Sequence, residues 1–209
     1  MSYALNEVEA TAKKATRGAA YTWGLAEEAA KATRWLCAQG LDGCAVLAGL
    51  LRATDRATDM APMSLDGDWA SESGQLCALI SGASLSDCAY RLPAGAIRMH
   101  NVIAPQLLLL FAAAAARHLG KPIAIAWSDN TMIVSDSGLC TAEIPAIDVA
   151  DVVTVETVAA ASQPVPQSTR AAPVAADWTY LNELAGRTYA PATEESRLKG
   201  AGSGLSDND

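Results

Sequence analysis

The chain holds two histidines in 209 residues. One of them, His100, lies in the stretch Arg98-Met99-His100-Asn101, just before Ala104-Pro105-Gln106 and an apolar run. A cation, an imidazole and an amide this close together can hold a carboxylate and move a proton. The apolar run reads as a helix, and the free N–H groups at a helix N-terminus favour an anion. Arg98 and Asn101 are therefore the expected carboxylate binders, and His100 the expected acid/base. The competing expectation is structural, with Asn101 as a helix cap and Arg98 and His100 as polar groups at a strand end. Arg197, in Glu194-Glu195-Ser196-Arg197, is a fourth candidate, because its guanidinium is a fork-shaped donor that matches a carboxylate. Gly200, Gly202 and Gly204 follow it, and glycine turns can present successive backbone N–H groups as an anion nest.

Other reactive types are weaker. Arg17, Glu27, Glu28, Lys31 and Arg34 crowd one segment, but Glu27 and Glu28 point about 100° apart on a helix and cannot neatly share a proton. An exposed face of ion pairs accounts for them. Trp23-Gly24 beside them suggests close packing at a turn. His118 falls in a helix's last turn, where the dipole favours a cation. The five cysteines, Cys37, Cys44, Cys77, Cys88 and Cys140, are odd in number, widely spaced and free of CxxC. They read as reduced, mostly buried thiols. No cluster of histidine with cysteine or carboxylate has metal-ligand spacing. The glycines near the C-terminus do not join a strand to a helix, and no phosphate-binding loop occurs. The expectation is no metal and no cofactor.

Three helices are expected in the first fifty residues. Asn6 reads as the N-cap of the first, with Glu9 completing a capping box and Gly18 as its stop. The second spans roughly 24–39, with Leu25, Ala29, Ala32 and Leu36 as its buried stripe. Asp42 starts the third. Residues 54–75, rich in Asp, Ser and Gly, form a long loop that is either functional or a surface insertion. "LCALI" and "DCAYRL" read as short strands. The run after Pro105 is apolar all round and must be a central buried helix ending at Gly120. Residues 123–134 read as a hairpin through Ser128-Asp129-Asn130, and 151–158 as another strand.

The expected fold is α+β: an Ala-rich helical N-terminal layer, one central buried helix and a small, mostly antiparallel sheet with a hairpin. Residues 1–158 form this single domain. Residues 159–176, with three prolines, read as a linker that could span roughly 55 Å if extended. Residues 177–209 form a C-terminal arm with Asp177 as helix cap and Trp178, Leu181 and Leu184 as anchors. The arm is too small to fold alone, so it docks on the body or on a neighbouring subunit. An Ala-rich core buries little area per residue, which favours a homo-oligomer, with a dimer of exchanged arms as the expected form.

A net charge of −8 argues against nucleic acid, which needs a cationic surface. The longest apolar stretch, 102–116, is shorter than the ~20 residues of a membrane span. No signal-peptide pattern opens the chain, so a cytoplasmic location is expected.

"LNEVEATAKKATRGAAYTWGLAEEAAKATRWL" and "RTYAPATEESRLKGAGSGLSDND" together resemble an uncharacterised bacterial, alphaproteobacterial family of unknown function. The resemblance implies a small, stand-alone cytoplasmic protein from catabolic gene neighbourhoods, and it brings no catalytic residues. The expected function is a cofactor-independent lyase, hydrolase or isomerase acting on a small anionic metabolite. The alternative is a non-catalytic accessory subunit or metabolite-binding module that docks through its arm.

Overall fold

The computed structural model describes residues 1–54 and 59–189. Arg197, the proposed glycine nest and the rest of 190–209 lie outside the described residues. The architecture is α+β. Helices α1 (Leu5–Gly18), α2 (Trp23–Ala38) and α3 (Gly43–Thr54) open the chain. Val8, Ala12 and Ala15 face inward from α1, and Ala26, Ala29, Ala30, Ala32 and Leu36 from α2. These small side chains let the helices approach closely, and the single chain covers them completely. Burial of the alanines therefore needs no second subunit.

The first helix start departs from expectation. Helix α1 begins one residue earlier than Asn6, and its N-cap, Ala4, makes no side-chain bond. The short strand β1 (Tyr3–Ala4) runs straight into the helix and fixes its start instead. Asp42 does cap α3, its Oδ1 accepting from the Ala45 N–H at 3.0 Å.

A six-stranded sheet lies beyond the helices, in the order β2 (Leu76–Cys77), β3 (Ile97–Ile103), β7 (Val149–Thr157), β4 (Ile123–Trp127), β5 (Asn130–Ser135) and β6 (Gly138–Leu139). Only β2–β3 is parallel. The expected hairpin is β4–β5, and Ser128 and Asp129 turn it with positive φ. Alternation along the strands puts Met99, Val153, Val155, Ile123, Ile125 and Met132 in the core.

Helix α5 (Leu108–Leu119) packs on β4 and β5 and is central, as its unbroken apolar sequence requires. Gly120 ends it in the left-handed region, φ 63°. "LCALI" and "DCAYRL" are a correction. Only Leu76–Cys77 is extended; α4 (Ala78–Asp87) and a short 3-10 helix (Ala89–Ala94) follow. The inward stripe of α4 is Ala78, Ser81, Gly82 and Leu85, and its small polar members hide the helical period. Gly82 is required there: a Cβ would sit 2.1 Å from the Phe111 ring.

The loop after α3 is anchored over its described part. Trp69 is fully buried and pairs with the edge of β3, its N–H donating to Arg98 O and its carbonyl accepting from the His100 N–H.

The proline-rich segment after β7 lies along the body rather than spanning open space. Val165 N–H donates to Leu139 O and Ser168 N–H to Ala38 O, both at 2.7 Å. Between its prolines it still carries free N–H groups, and the body supplies the acceptors. It ends in β8 (Arg170–Ala171), paired antiparallel with β1.

Helix α6 (Ala175–Gly186) then docks on α1 and α3 of the same chain through Leu181 and Leu184, both fully buried. Trp178 stacks on Tyr3 at 4.2 Å between centroids. Asp177 is not the cap of α6; Val174 holds that position. Its carboxylate instead pairs with Arg52 at 2.8 Å. No helix among the described residues is long and apolar enough to cross a membrane.

Candidate functional site

The expected cluster is placed in β3 itself, not at the start of a helix. Ala104, in the left-handed region at φ 54°, precedes a 3-10 turn (Pro105–Leu107) that leads into α5. The Ala104 N–H donates to Asp148 O, Pro105 has no N–H, and the Leu107 N–H donates to Ala104 O. The start of α5 thus has few free donors, and Asn101 does not cap it. Alternation in β3 sends Met99 inward and puts Arg98 and His100 on the outer face of the sheet. Asn101 is exposed and adopts φ 51°.

His100 has gained a partner that the sequence does not reveal. Its Nε2 lies 3.1 Å from Asp68 Oδ2. Trp69 makes this contact possible, because burying its ring against the β3 edge sets Asp68 beside His100. A carboxylate that orients an imidazole is a general-base arrangement. Arg98 stands two residues along, about 7 Å away along the strand. The pair is open to water, with side chains 39% and 54% exposed, and the two grooves described below do not include it.

The first groove, about 680 Å³, runs between α1, α2 and the segment 167–169 that precedes β8. Its cations are already paired: Lys31 with Glu28 at 2.7 Å and Arg34 with Glu9 at 3.4 Å. Lys13 and Glu27 pair nearby at 2.8 Å, and that ammonium holds the exposed Glu27 carboxyl below its ordinary range. The charge-dense segment is therefore a face of ion pairs. Trp23 is a correction: it is 61% exposed beneath the cations of Lys13 and Arg17, and a Cβ added at Gly24 would meet nothing within 4 Å.

The second groove, about 650 Å³, lies between α3 and the turns at 103–106 and 146–149. One wall is the small-residue stripe Ala45, Gly49 and Ala53, with Val46 beside it. The opposite wall brings Ile147, Asp148 and Gln106. Gln106 is 5% exposed. Its Nε2 donates to Ile147 O at 2.9 Å and Pro145 O at 3.3 Å, which fixes which end of the amide is the donor. Its Oε1 is buried and accepts no hydrogen bond. A buried acceptor left so costs about 1–3 kcal/mol. Ser81 Oγ and Trp127 Nε1 are also without partners, but they line neither groove. Arg52 borders the groove with its charge engaged, paired with Asp177 and held 4.5 Å over the Tyr180 ring.

Chemically, this groove can bind. An apolar wall takes an apolar body, and the exposed Asp148 carboxylate takes a hydrogen-bond donor. Its lining has no imidazole, thiol, hydroxyl or amine, and Asp148 is its sole carboxylate.

Two further clusters are sealed. Thr54 Oγ1 donates to Leu50 O, so the Tyr21 hydroxyl, 2.7 Å away, donates to Thr54. Burial pushes the Tyr21 phenol and the Cys77 thiol above their ordinary values, keeping both neutral. A hydrogen bond from Cys44 holds the Cys37 thiol low, and the same contact raises Cys44. Both cysteines are almost wholly buried. Among the described residues no group of three or more His, Cys, Asp or Glu is placed to hold a metal.

A family model described as a protein of unknown function (DUF3726) matches residues 3–77. It spans α1 to α3 and the first strand of the sheet. The match stops short of the C-terminal stretch that shares the sequence resemblance. No curated protein matches the chain. Among solved structures, malate dehydrogenase from Entamoeba histolytica is similar at 11% identity and a TM-score of 0.42, over 64% of this chain and 43% of that enzyme's. A likeness this distant carries no activity across.

Proposed function

We propose that the protein is a small-molecule binding module whose ligand occupies the groove between α3 and the Gln106 turn. The observation that carries this reading is the groove itself, about 650 Å³, with the small-residue stripe Ala45, Gly49 and Ala53 of α3 on one side and the exposed Asp148 on the other. Five free cysteines fit a reducing, cytoplasmic setting, and the resemblance to an uncharacterised family from catabolic gene neighbourhoods makes a metabolite the natural occupant.

The test is a metabolite screen by thermal shift on the full chain, repeated with Gly49→Leu. A Cβ at Gly49 meets nothing within 4 Å, so a leucine there enters the groove without disturbing the helix. Hits should vanish in the variant. Hits that survive it place the ligand elsewhere and sink the reading.

The His100–Asp68 contact favours a second reading, an enzyme acting on a small anionic metabolite, with His100 as base and Arg98 and Asn101 as binders. Arg197 completes that proposal, and a dimer with exchanged arms remains part of it. Under it, His100→Ala abolishes turnover of a substrate that the binding module would leave unchanged.

A further inference from the structure

We infer that the groove between α1, α2 and residues 167–169 binds an extended, acidic segment of a partner protein. This goes beyond the metabolite reading and concerns a different surface.

Three observations converge. The first is a donor that the fold leaves unused. Gln39 is 6% exposed and lines this groove. Its Oε1 accepts from the Leu139 N–H at 3.1 Å, which fixes Nε2 as the donor end of the amide. Among the described residues Nε2 has no acceptor, and it is not one of the polar atoms sealed from water. Gln167, on the facing wall, brings a second amide. The two Nε2 atoms lie 3.6 and 3.5 Å from where a Cβ on Gly138 would sit, and Gly138 has no side chain to fill that space. A ligand acceptor thus meets a donor held in place by a backbone bond.

The second is spacing. Lys31, Arg34, Trp35, Ala38 and Gln39 line the groove from one face of α2. From Lys31 to Gln39 the helix rises about 12 Å, the length of about four extended residues. The Trp35 indole N–H also lacks a protein acceptor and is not sealed. Trp35 and Gln39 are one helical turn apart, about 5–6 Å. Carbonyls on one side of an extended chain repeat every second residue, about 6.6 Å. Two donors at that interval match the main chain of a peptide.

The third is charge. Arg34 Nε lies 3.4 Å from Glu9 Oε2. The terminal nitrogens of the same guanidinium make no hydrogen bond among the described residues, so its planar outer edge is open to a carboxylate. Glu9 is the sole carboxylate of the lining, against Lys31 and Arg34. This local surplus of positive charge, on a chain of net charge −8, favours an acidic partner. Arg34 is 47% exposed and stands at the rim, where it reads a side chain. The main chain of the segment lies on Trp35 and Gln39, and an Asp or Glu side chain reaches Arg34.

The test uses the full chain and three blocked pentapeptides, Ala-Val-X-Val-Ala, with glutamate, glutamine or lysine at X. Binding is followed by ¹⁵N–¹H NMR titration at pH 7, where the glutamate is ionised. The glutamate peptide should bind most tightly and shift the Trp35 indole N–H and the amides of Gln39 and residues 167–169. Arg34→Gln, at an exposed position, should weaken it about tenfold, the worth of one charge-assisted hydrogen bond, and bring it down to the glutamine peptide. Trp35→Phe removes only the N–H donor and should weaken the glutamate and glutamine peptides by the same factor. Equal binding of these two peptides by the unmodified protein overturns the acidic partner. Glutarate binding as tightly as the glutamate peptide overturns the extended segment in favour of a small carboxylate. No shift at these groups with any peptide overturns the site.

Discussion

Gly18 and Gly49 have opposite surroundings, so the same change should have opposite effects. A Cβ on Gly18 would lie 1.9 Å from Leu184 O of α6, where real contacts do not fall below 3.0 Å. Helices α1 and α6 must therefore part by about 1 Å. Overpacking of this kind costs about 1–3 kcal/mol, and Leu184 and Leu181 lose contact as the helices separate. Alanine returns up to about 1 kcal/mol of helix propensity. The clash wins, and Gly18→Ala should be net destabilised by about 1 kcal/mol. Gly49 is inside α3 with open space beyond it, so only the propensity gain acts, and Gly49→Ala should be stabilised by up to about 1 kcal/mol. Urea denaturation read by far-UV circular dichroism and by tryptophan fluorescence measures both. Trp178 rides on α6, so a displaced helix shows as an early fluorescence transition. If Gly18→Ala matches the parent in midpoint, the α1–α6 contact is wrong.

Three other outcomes follow from the sealed groups and the arm. The folded Tyr21 and Cys77 keep their protons above the unfolded values of 10.0 and 9.0. The unfolded chain then releases protons first, and stability should fall as pH rises from about 9, by about 1.4 kcal/mol per unit per group. Tyr21→Phe should flatten that slope above pH 10 in pH-dependent denaturation, and an unchanged slope would exclude the tyrosine. Native protein should react with one equivalent of a thiol reagent, at half-buried Cys140, and with five after unfolding; rapid loss of four or five thiols would contradict the burial of the others. Arg52→Ala removes the Asp177 pair and the Tyr180 stack, and should cost about 1–2 kcal/mol by the same denaturation assay; no change would mean that α6 is held by its leucines alone.

The regular elements were legible wherever apolar spacing was strong. The unbroken run of α5, the β4–β5 hairpin and the stripe of α2 appear as expected. Helix α4 was hidden because Ser81 and Gly82 stand where a periodic pattern needs large apolar residues. Gly82 is small for a long-range reason, the Phe111 ring across the interface, and no local pattern records that. Asp177 has the residue type of a cap, but the tertiary partner Arg52 claims it. The proline-rich segment reads as a tether because prolines forbid a helix, yet its remaining N–H groups are used one at a time on the body.

The site was less legible than the fold. Arg98 and His100 were visible by type, but the alternation of β3 turns them to an open face. Asp68 could not have been paired with His100, because a buried tryptophan one residue away sets that contact across 32 positions. Gln106 did leave a signal, a lone amide at the head of an otherwise apolar helix. Its significance depends on which atom the folded backbone leaves unbonded, and that is a property of the fold.

The most direct test of the account is where a ligand perturbs the full chain. With a hit from the metabolite screen titrated into ¹⁵N-labelled protein, the account predicts saturable shifts confined to α3, Ala104, Gln106 and residues 146–149, lost in Gly49→Leu. Shifts centred on His100 and Asp68, or on the groove between α1 and α2, would contradict it.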